Sequence, residues 1–403
     1  MTIDYDPFDV ASAGDPYAVY DALRDDAPVH WAPDTGTFVL SRHEDVAWAL
    51  GETDLFSSDA MRGVLLGQPT GTGEARLPRS EHMGQVVAVD PPDHNDLRRI
   101  VARGFTPRTM AGWRERIEAL VADLLAVDGD DPFDVVARIA GPLPVRVIVE
   151  LVGADPGDAE RFKSFADAMT TVMSGSARAT GVLPPEAMLA MFELVQDLGT
   201  RIDDRHEHPR DDLLTTLVRA QDDDVLSREE AVGFAALLLF AGTETSTNLI
   251  GNAVAALLAH PDELDRVSAD PARLGAVIEE TLRWESPVQY VFRRSTRAFE
   301  RHGVDIPADS TITLLLGSAN RDPRRWGDDG DEFRPDRDAK GHVGFGFGAH
   351  FCLGAALARA ETEISLRHLL PRLPGWTPTD GSTDWLDSLQ FRGRKTLRLT
   401  AAG

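Results

Sequence analysis

The 403-residue chain has a single cysteine, Cys352. A lone thiol closes no intramolecular disulfide, which excludes a disulfide-stapled secreted scaffold. Zinc and iron–sulfur sites built from several cysteines are excluded with it. Positive charge is also scarce: 41 Lys+Arg stand against 66 Asp+Glu, a net of −25. Such a surface repels nucleic acid and anionic lipid, so neither is expected as a partner. The first residues show no basic stretch followed by an apolar one. No signal peptide is read there, and a soluble, cytoplasmic protein is the expectation. Internal repeats, low-complexity tracts and linkers are not visible. Hydrophobic content of 42% suffices for a large buried core. One large domain over 1–403 is expected.

Charge is nearly missing from one long stretch. Residues 231–259 carry only Glu244, and the run is long enough to cross a bilayer. A carboxylate amid Thr, Ser and Asn side chains is expensive in lipid, and the flanks lack a positive-inside bias. The run therefore reads as a helix buried through a large protein. Helical spacing or composition also marks 110–126, 155–172, 185–204, 211–220, 271–284 and 355–370. Asp90-Pro-Pro-Asp-His opens another helix, and Asp155 and Ser227 look like N-terminal caps. Short strands are expected near 28–31, 37–41, 290–298, 303–306, 310–315 and 395–400. The fold class is mainly α, of α+β type. Residues 320–354 form a long loop without periodicity, and such loops are usually functional.

That loop ends in the most specific segment, Phe345-Gly-Phe-Gly-Ala-His-Phe-Cys-Leu-Gly354. Glycines let a backbone lie flat against a large ligand. The cysteine precedes a helix start, where free N–H groups favour a thiolate. A phosphate loop fails, because no Lys-Ser/Thr follows and no GxGxxG completes after a strand. The segment resembles the haem-binding loop of the cytochromes P-450, the haem-thiolate monooxygenases, and the chain looks closest to their soluble bacterial branch. Phe345, Gly348, His350, Cys352 and Gly354 match every fixed place of that loop. The resemblance implies haem b (iron protoporphyrin IX), with Cys352 as the iron ligand and Phe345 packed near the sulfur.

Three further motifs follow the same resemblance. Ala241-Gly-Thr-Glu-Thr245 places a Glu and a Thr in the apolar helix, where a carboxylate needs a reason. Gly242 and a threonine hydroxyl can loosen the helical ladder and open a groove. In the family this pattern is the oxygen-binding groove, which implies Thr245 at bound oxygen, Glu244 as a proton feed and Ala241 against the haem. Glu280 and Arg283 stand at i,i+3, with Arg337 downstream. An isolated pair of that kind is usually solvated, but the family joins the three in a buried structural triad. His94 and Arg98 share a helix face at i,i+4. They match the family's propionate clamp, with Arg293 and His350 as further donors, and Arg294 is an alternative to Arg293.

Other features stand apart from these motifs. His206-Glu-His208 reads as a solvated loop, with no metal expected. Six arginines between 98 and 116 face one acid, Glu115, which suggests a docking patch for an acidic ferredoxin, joined by Arg359 and Arg367. Only 51 residues follow Cys352, too few for a flavin reductase. Separate ferredoxin and ferredoxin reductase partners, NAD(P)H acting through them, and a monomer are expected. The reaction implied is insertion of one oxygen atom from O2 into an apolar C–H, C=C or heteroatom site. It consumes two electrons and two protons and releases water. Alternatives are a peroxide-driven peroxygenase of the same fold and a non-catalytic haem or ligand-binding protein. By resemblance the substrate cavity takes Phe234, Leu238, Val288, Gln289, Val291, Met169, Met173 and Phe391. An apolar substrate is expected, although Arg62, Arg76, Arg79 or Arg178 could anchor an acidic one.

Overall fold

A computed structural model describes residues 3, 5, 14–61, 86–126, 132–172, 184–223, 225–379, 384–388 and 390–401. Met173, Arg62, Arg76, Arg79 and Arg178 lie outside the described residues. Helices carry most of the chain. They are α1 Tyr17–Asp26, α2 His43–Gly51, α3 Asp93–Ala102, α4 Pro107–Leu125, α5 Pro142–Val152, α6 Ala159–Val172 and α7 Pro185–Glu207. After these come α8 Leu213–Asp222, α9 Arg228–Ala259, α10 Pro261–Ala269, α11 Leu274–Trp284, α12 Leu316–Ala319, α13 Pro323–Trp326 and α14 Ala355–Leu369. The mainly α expectation holds.

The nearly uncharged run is the axis of the molecule. Ser227 accepts from the Glu230 N–H at 3.1 Å, while the Glu230 carboxylate accepts from the Ser227 N–H at 2.8 Å. This capping box starts α9, which runs 32 residues without interruption. At 1.5 Å per residue it is about 48 Å long. Both its faces are apolar because α5, α7, α14, α11 and α6 pack around it. Among the described residues, no helix is long and apolar enough to cross a membrane.

Five short strands make the main sheet: β1 Val29–Ala32, β2 Thr37–Leu40, β3 Phe56–Ser57, β5 Tyr290–Ser295 and β8 Thr311–Leu315. Their order is β1-β2-β8-β5-β3, and only β2 and β8 run parallel. A three-stranded sheet, β4 Phe133–Asp134, β10 Arg398–Ala401 and β9 Trp376–Pro378, closes the C-terminal end. Strands β6 Phe299–Arg301 and β7 Val304–Ile306 form a hairpin. His302 and Gly303 turn it with φ of 51° and 78°. Arg301 and His302 both bond buried Asp45 on α2, which fixes the hairpin to the body.

Helix α5 escaped the sequence reading. Its segment Pro142-Leu-Pro-Val-Arg-Val-Ile-Val-Glu-Leu-Val152 is β-branched and opens with two prolines, so propensity speaks for neither state. Burial against α9 decides it. The expected strands appear close to their positions, although the one expected at 290–298 ends at Ser295, and three residues separate it from β6.

Candidate functional site around Cys352 and the central helix

The glycine loop is held by short backbone bonds. Gly346 N–H bonds Val343 O at 2.8 Å, and Cys352 N–H bonds Phe345 O at 2.9 Å. Gly346 and Gly348 take φ of 70° and 72°, which other residues rarely adopt. At Gly344 a Cβ would stand 2.6 Å from the Leu282 carbonyl oxygen, so only glycine fits there. A Cβ on Gly354 would meet nothing within 4 Å, and that side of the loop is open. Phe345 packs on the helical core, with the Arg359 guanidinium 4.6 Å from its ring centroid.

The expected thiolate is not a property of this polypeptide by itself. Burial pushes the Cys352 thiol up; the Gly354 N–H and the Arg98 and Arg359 charges pull the other way without overcoming it. Desolvation outweighs the helix terminus, and a cation at the sulfur would favour the thiolate.

On α9, Ala241 is exposed in mid-helix, so the axis faces an open space there. The Thr245 hydroxyl donates to the Ala241 carbonyl at 2.8 Å, and Thr243 donates to Leu239 O at 2.6 Å. Gly242 does not break the helix. A Cβ there would come 3.0 Å from Ile148 Cδ1, so the glycine serves the close approach of α5. Glu244 is 9% exposed, and its carboxyl is raised from 4.5 to about 7. Burial is the main cause, then Asp167 on α6; Lys163 and Asn248 oppose them. A carboxyl group that titrates near neutrality is suited to general-acid work.

Four cationic or donor side chains converge from three elements. His94 and Arg98 come from α3, Arg293 from β5 and His350 from the loop. The rings of His94 and His350 lie 4.2 Å apart, and His350 Nε2 meets Ser58 Oγ at 2.9 Å. Arg98 Nη2 donates to Phe351 O at 2.7 Å, one residue before the cysteine. Arg293 is 4% exposed and donates to the Phe292 carbonyl at 2.9 Å. Arg294 points the other way, as strand alternation requires, and pairs with Asp59 at 3.0 Å. The open choice thus falls to Arg293. Burial, then Arg293, His94 and Arg98, drive His350 down to about 2, and burial lowers Arg293 to about 10. His94 Nε2 is buried with no partner among the described residues. Two arginines beside two neutral imidazoles, one with an orphaned nitrogen, suit a ligand that brings carboxylates, so the two propionates of a haem fit these residues.

Behind the loop the triad forms. Arg283 and Glu280 are both 0% exposed and bond through two contacts, 2.8 and 2.7 Å. The remaining Arg283 donors reach the carbonyls of Asn320, Gly330 and Glu332. Arg337 Nε stands 3.6 Å from Glu280, but its stronger partner is Asp329, which the sequence reading did not include. Removing one partner of a fully buried pair strands the other charge. Glu280→Ala is therefore expected to cost about 3–5 kcal/mol in denaturant unfolding.

The expected cavity residues divide. Val288, Val291, Met169 and Phe391 gather with Phe240 in one apolar cluster. Phe234, 1% exposed, and Leu238 belong instead to the helical core. Both come from the family resemblance alone, and α5 to α7 pack on α9. Phe240 was missed, although it directly precedes Ala241. Gln289 also turns away: its amide donates to Ser286 O at 2.8 Å, and its oxygen packs on Gly317. The basic patch shrinks too. Arg116 pairs with Glu150, Arg114 and Arg367 with Glu363, Arg99 with Asp96 and Arg359 with Glu279. Exposed Arg103 and Arg108 pair with no carboxylate among the described residues, and Phe347 and Phe351 stand 54% and 40% exposed nearby in sequence to Cys352. His206 sits in the last turn of α7, not a loop; it bonds Gln221, while His208 bonds Asp204.

Comparison with known proteins agrees with this geometry. Residues 31–376 match the family model for cytochrome P450. Cytochrome P450 107B1 of Saccharopolyspora erythraea is 37% identical over 398 residues, 97% of this chain and 96% of that one. Erythromycin C-12 hydroxylase of the same organism is 37% identical over 87% of this chain and 85% of its own. Among solved structures, CYP109E1 of Bacillus megaterium in complex with testosterone superposes with a TM-score of 0.88 at 30% identity, covering 98% and 100% of the two chains. A mutant of P450 EryK in complex with erythromycin B gives 0.86 at 33% identity, covering 98% of each chain. With its glycine-bounded cysteine, its acid–alcohol helix and a family match across most of its length, the chain belongs to the cytochrome P450 family of haem-dependent monooxygenases.

Proposed function

We propose that Cys352 ligates the haem iron and that His94, Arg98, Arg293 and His350 hold the propionates. On this reading Glu244 and Thr245 deliver protons, and the substrate is a bulky apolar organic molecule. The observation that carries the assignment is the Arg98 bond to Phe351 O, because it ties the carboxylate clamp to the cysteine loop. When bound, the haem supplies O2 activation, with the thiolate favouring O–O cleavage. The chain's own residues do the rest. Phe345 and the glycines shield and shape the sulfur's surroundings. The Gly354 N–H tempers the sulfur's charge. Glu244 holds a proton near neutrality, and the Thr245 hydroxyl can release Ala241 O to pass it on. Met169, Phe240, Val288, Val291 and Phe391 exclude water and hold an apolar substrate. Relatives named for erythromycin and 6-deoxyerythronolide B hydroxylation support a large substrate.

Electrons reach this site from NAD(P)H through a ferredoxin reductase and a ferredoxin. The enzyme works as a single-domain monomer in the cytoplasm. The docking face takes in the exposed Arg103 and Arg108, with Phe347 and Phe351 exposed on the cysteine loop. Turnover driven by ferredoxin, reductase and NAD(P)H, measured beside turnover with H2O2, tests the proposal. The first is expected to exceed the second, and the reverse outcome would favour a peroxide-driven enzyme. Arg103→Glu with Arg108→Glu is expected to slow reduction by the ferredoxin about tenfold at low salt, and less at high salt. Stopped-flow reduction at both ionic strengths reads this, and equal rates for variant and wild type would refute the patch.

A further inference from the structure

The C-terminal segment returns past the end of α11 to the apolar cluster beside α9, and one carboxylate anchors it. Glu285 follows α11 directly, and its side chain is 7% exposed. Its Oε1 accepts from the Tyr17 hydroxyl at 2.7 Å and from Arg392 Nε, while Arg321 Nη2 stands 3.9 Å from Oε2. The Arg392 guanidinium lies 3.7 Å from the Trp385 ring centroid and 5.3 Å from that of Tyr17. Burial, then Glu285, raises the Tyr17 hydroxyl to about 12, so it stays a donor.

The backbone around the anchor is fixed as well. Gln289 N–H bonds Gln390 O, and Arg392 N–H bonds Pro287 O, both at 2.8 Å. Asn252 Nδ2 reaches Arg392 O at 3.0 Å. A Cβ on Gly393 would stand 1.8 Å from Asn248 Oδ1, so only glycine lets the segment lie against α9 at this depth. Between these ties sits Phe391. Its neighbours are directed elsewhere: Gln390 bonds Tyr290 O at 3.2 Å, and Arg392 bonds Glu285. Phe391 alone meets Phe240, edge to face at 5.7 Å, next to the exposed Ala241.

We propose that Glu285, with Arg392 and Tyr17, is a positioning residue for substrate selectivity. It acts through Phe391, whose ring it holds against Phe240 in the cavity wall. The inference rests on the haem-monooxygenase reading and adds the device that sets the cavity's width. Large apolar ligands that reach this wall depend on the anchor, and small ones do not. Removing one partner of this buried pair leaves the other charge uncompensated, so the pair holds its geometry.

Two azoles that bind haem iron separate the cases: imidazole, which is small, and clotrimazole, whose aryl rings fill the cavity. Spectral titration of the haem-loaded Glu285→Gln variant is expected to weaken clotrimazole about tenfold and leave imidazole within about twofold. Phe391→Ala is expected to shift the same probe, and the double variant to fall short of the sum, because both act through one ring. Tyr17→Phe is the second variant, and it is expected to move clotrimazole selectively in the same direction. Equal weakening of both azoles would show a merely structural role. Unchanged clotrimazole binding in Glu285→Gln and Tyr17→Phe, with Phe391→Ala altered, would overturn the anchor. The CO complex of each sample is recorded in parallel. Loss of its thiolate signature in the wild type would overturn the underlying haem reading instead.

Discussion

Glu244→Gln is expected to lower the ferredoxin-driven turnover number about 100- to 10,000-fold, the range for losing a positioned general acid. The amide keeps the shape and hydrogen bonds but has no proton to give. In the wild type the carboxyl titrates at about 7, because burial and Asp167 disfavour its charge. Wild-type turnover is therefore expected to fall as pH rises through about 7, and the residual rate of the variant to be flat there. Stability should follow the same pH trend. The folded value lies above the ordinary 4.5, so the folded state is favoured while Glu244 is protonated. That contribution is complete below about 4.5 and is lost as pH rises through about 7. A shift of this size corresponds to roughly 3 kcal/mol at 1.36 kcal/mol per unit. Glu244→Gln is thus expected to be more stable than wild type at pH 8 and no more stable at pH 4. Denaturant unfolding at the two pH values checks this. Equal unfolding curves at pH 8 would place the charge elsewhere.

Cys352→Ser is expected to abolish monooxygenation while leaving the fold intact. The loop is closed by the Cys352 N–H to Phe345 O, the positive-φ glycines and the Arg98 bond to Phe351 O, none of which needs sulfur. Serine also keeps the side chain's size. What disappears is the one atom that can become a thiolate, and no second cysteine exists to replace it. Circular dichroism should match the wild type, and the thiolate signature and ferredoxin-driven turnover should fall to background. Retained turnover would remove Cys352 from the mechanism.

Some of this site was legible in the residues and some was not, for physical reasons. The Cys352 loop and the Glu244–Thr245 pair are local: their geometry follows from covalent spacing and from glycine's freedom at 346 and 348. Helical spacing put Glu280 and Arg283 on one face, but their burial came only from the family resemblance, and Asp329 as the main partner of Arg337 comes from a loop turn without periodicity. Arg293 and Arg294 could not be separated before strand β5 gave each a face. The basic patch is smaller than the sequence suggests because its neutralising acids are distant in sequence, Glu363 from Arg114 and Glu150 from Arg116. Phe234 and Leu238 came from the resemblance, and the residues around them in sequence do not say which neighbours cover them. The thiol's raised protonation was hidden too, since burial is a tertiary quantity and outweighs the helix terminus.

The central claim is that a thiolate from Cys352 meets haem iron. The reduced, CO-bound absorption spectrum of the wild-type enzyme tests it most directly. A Soret band at the red-shifted thiolate position, lost in Cys352→Ser, is the expected result. A wild-type band that stays at the position of imidazole-ligated haem would contradict it.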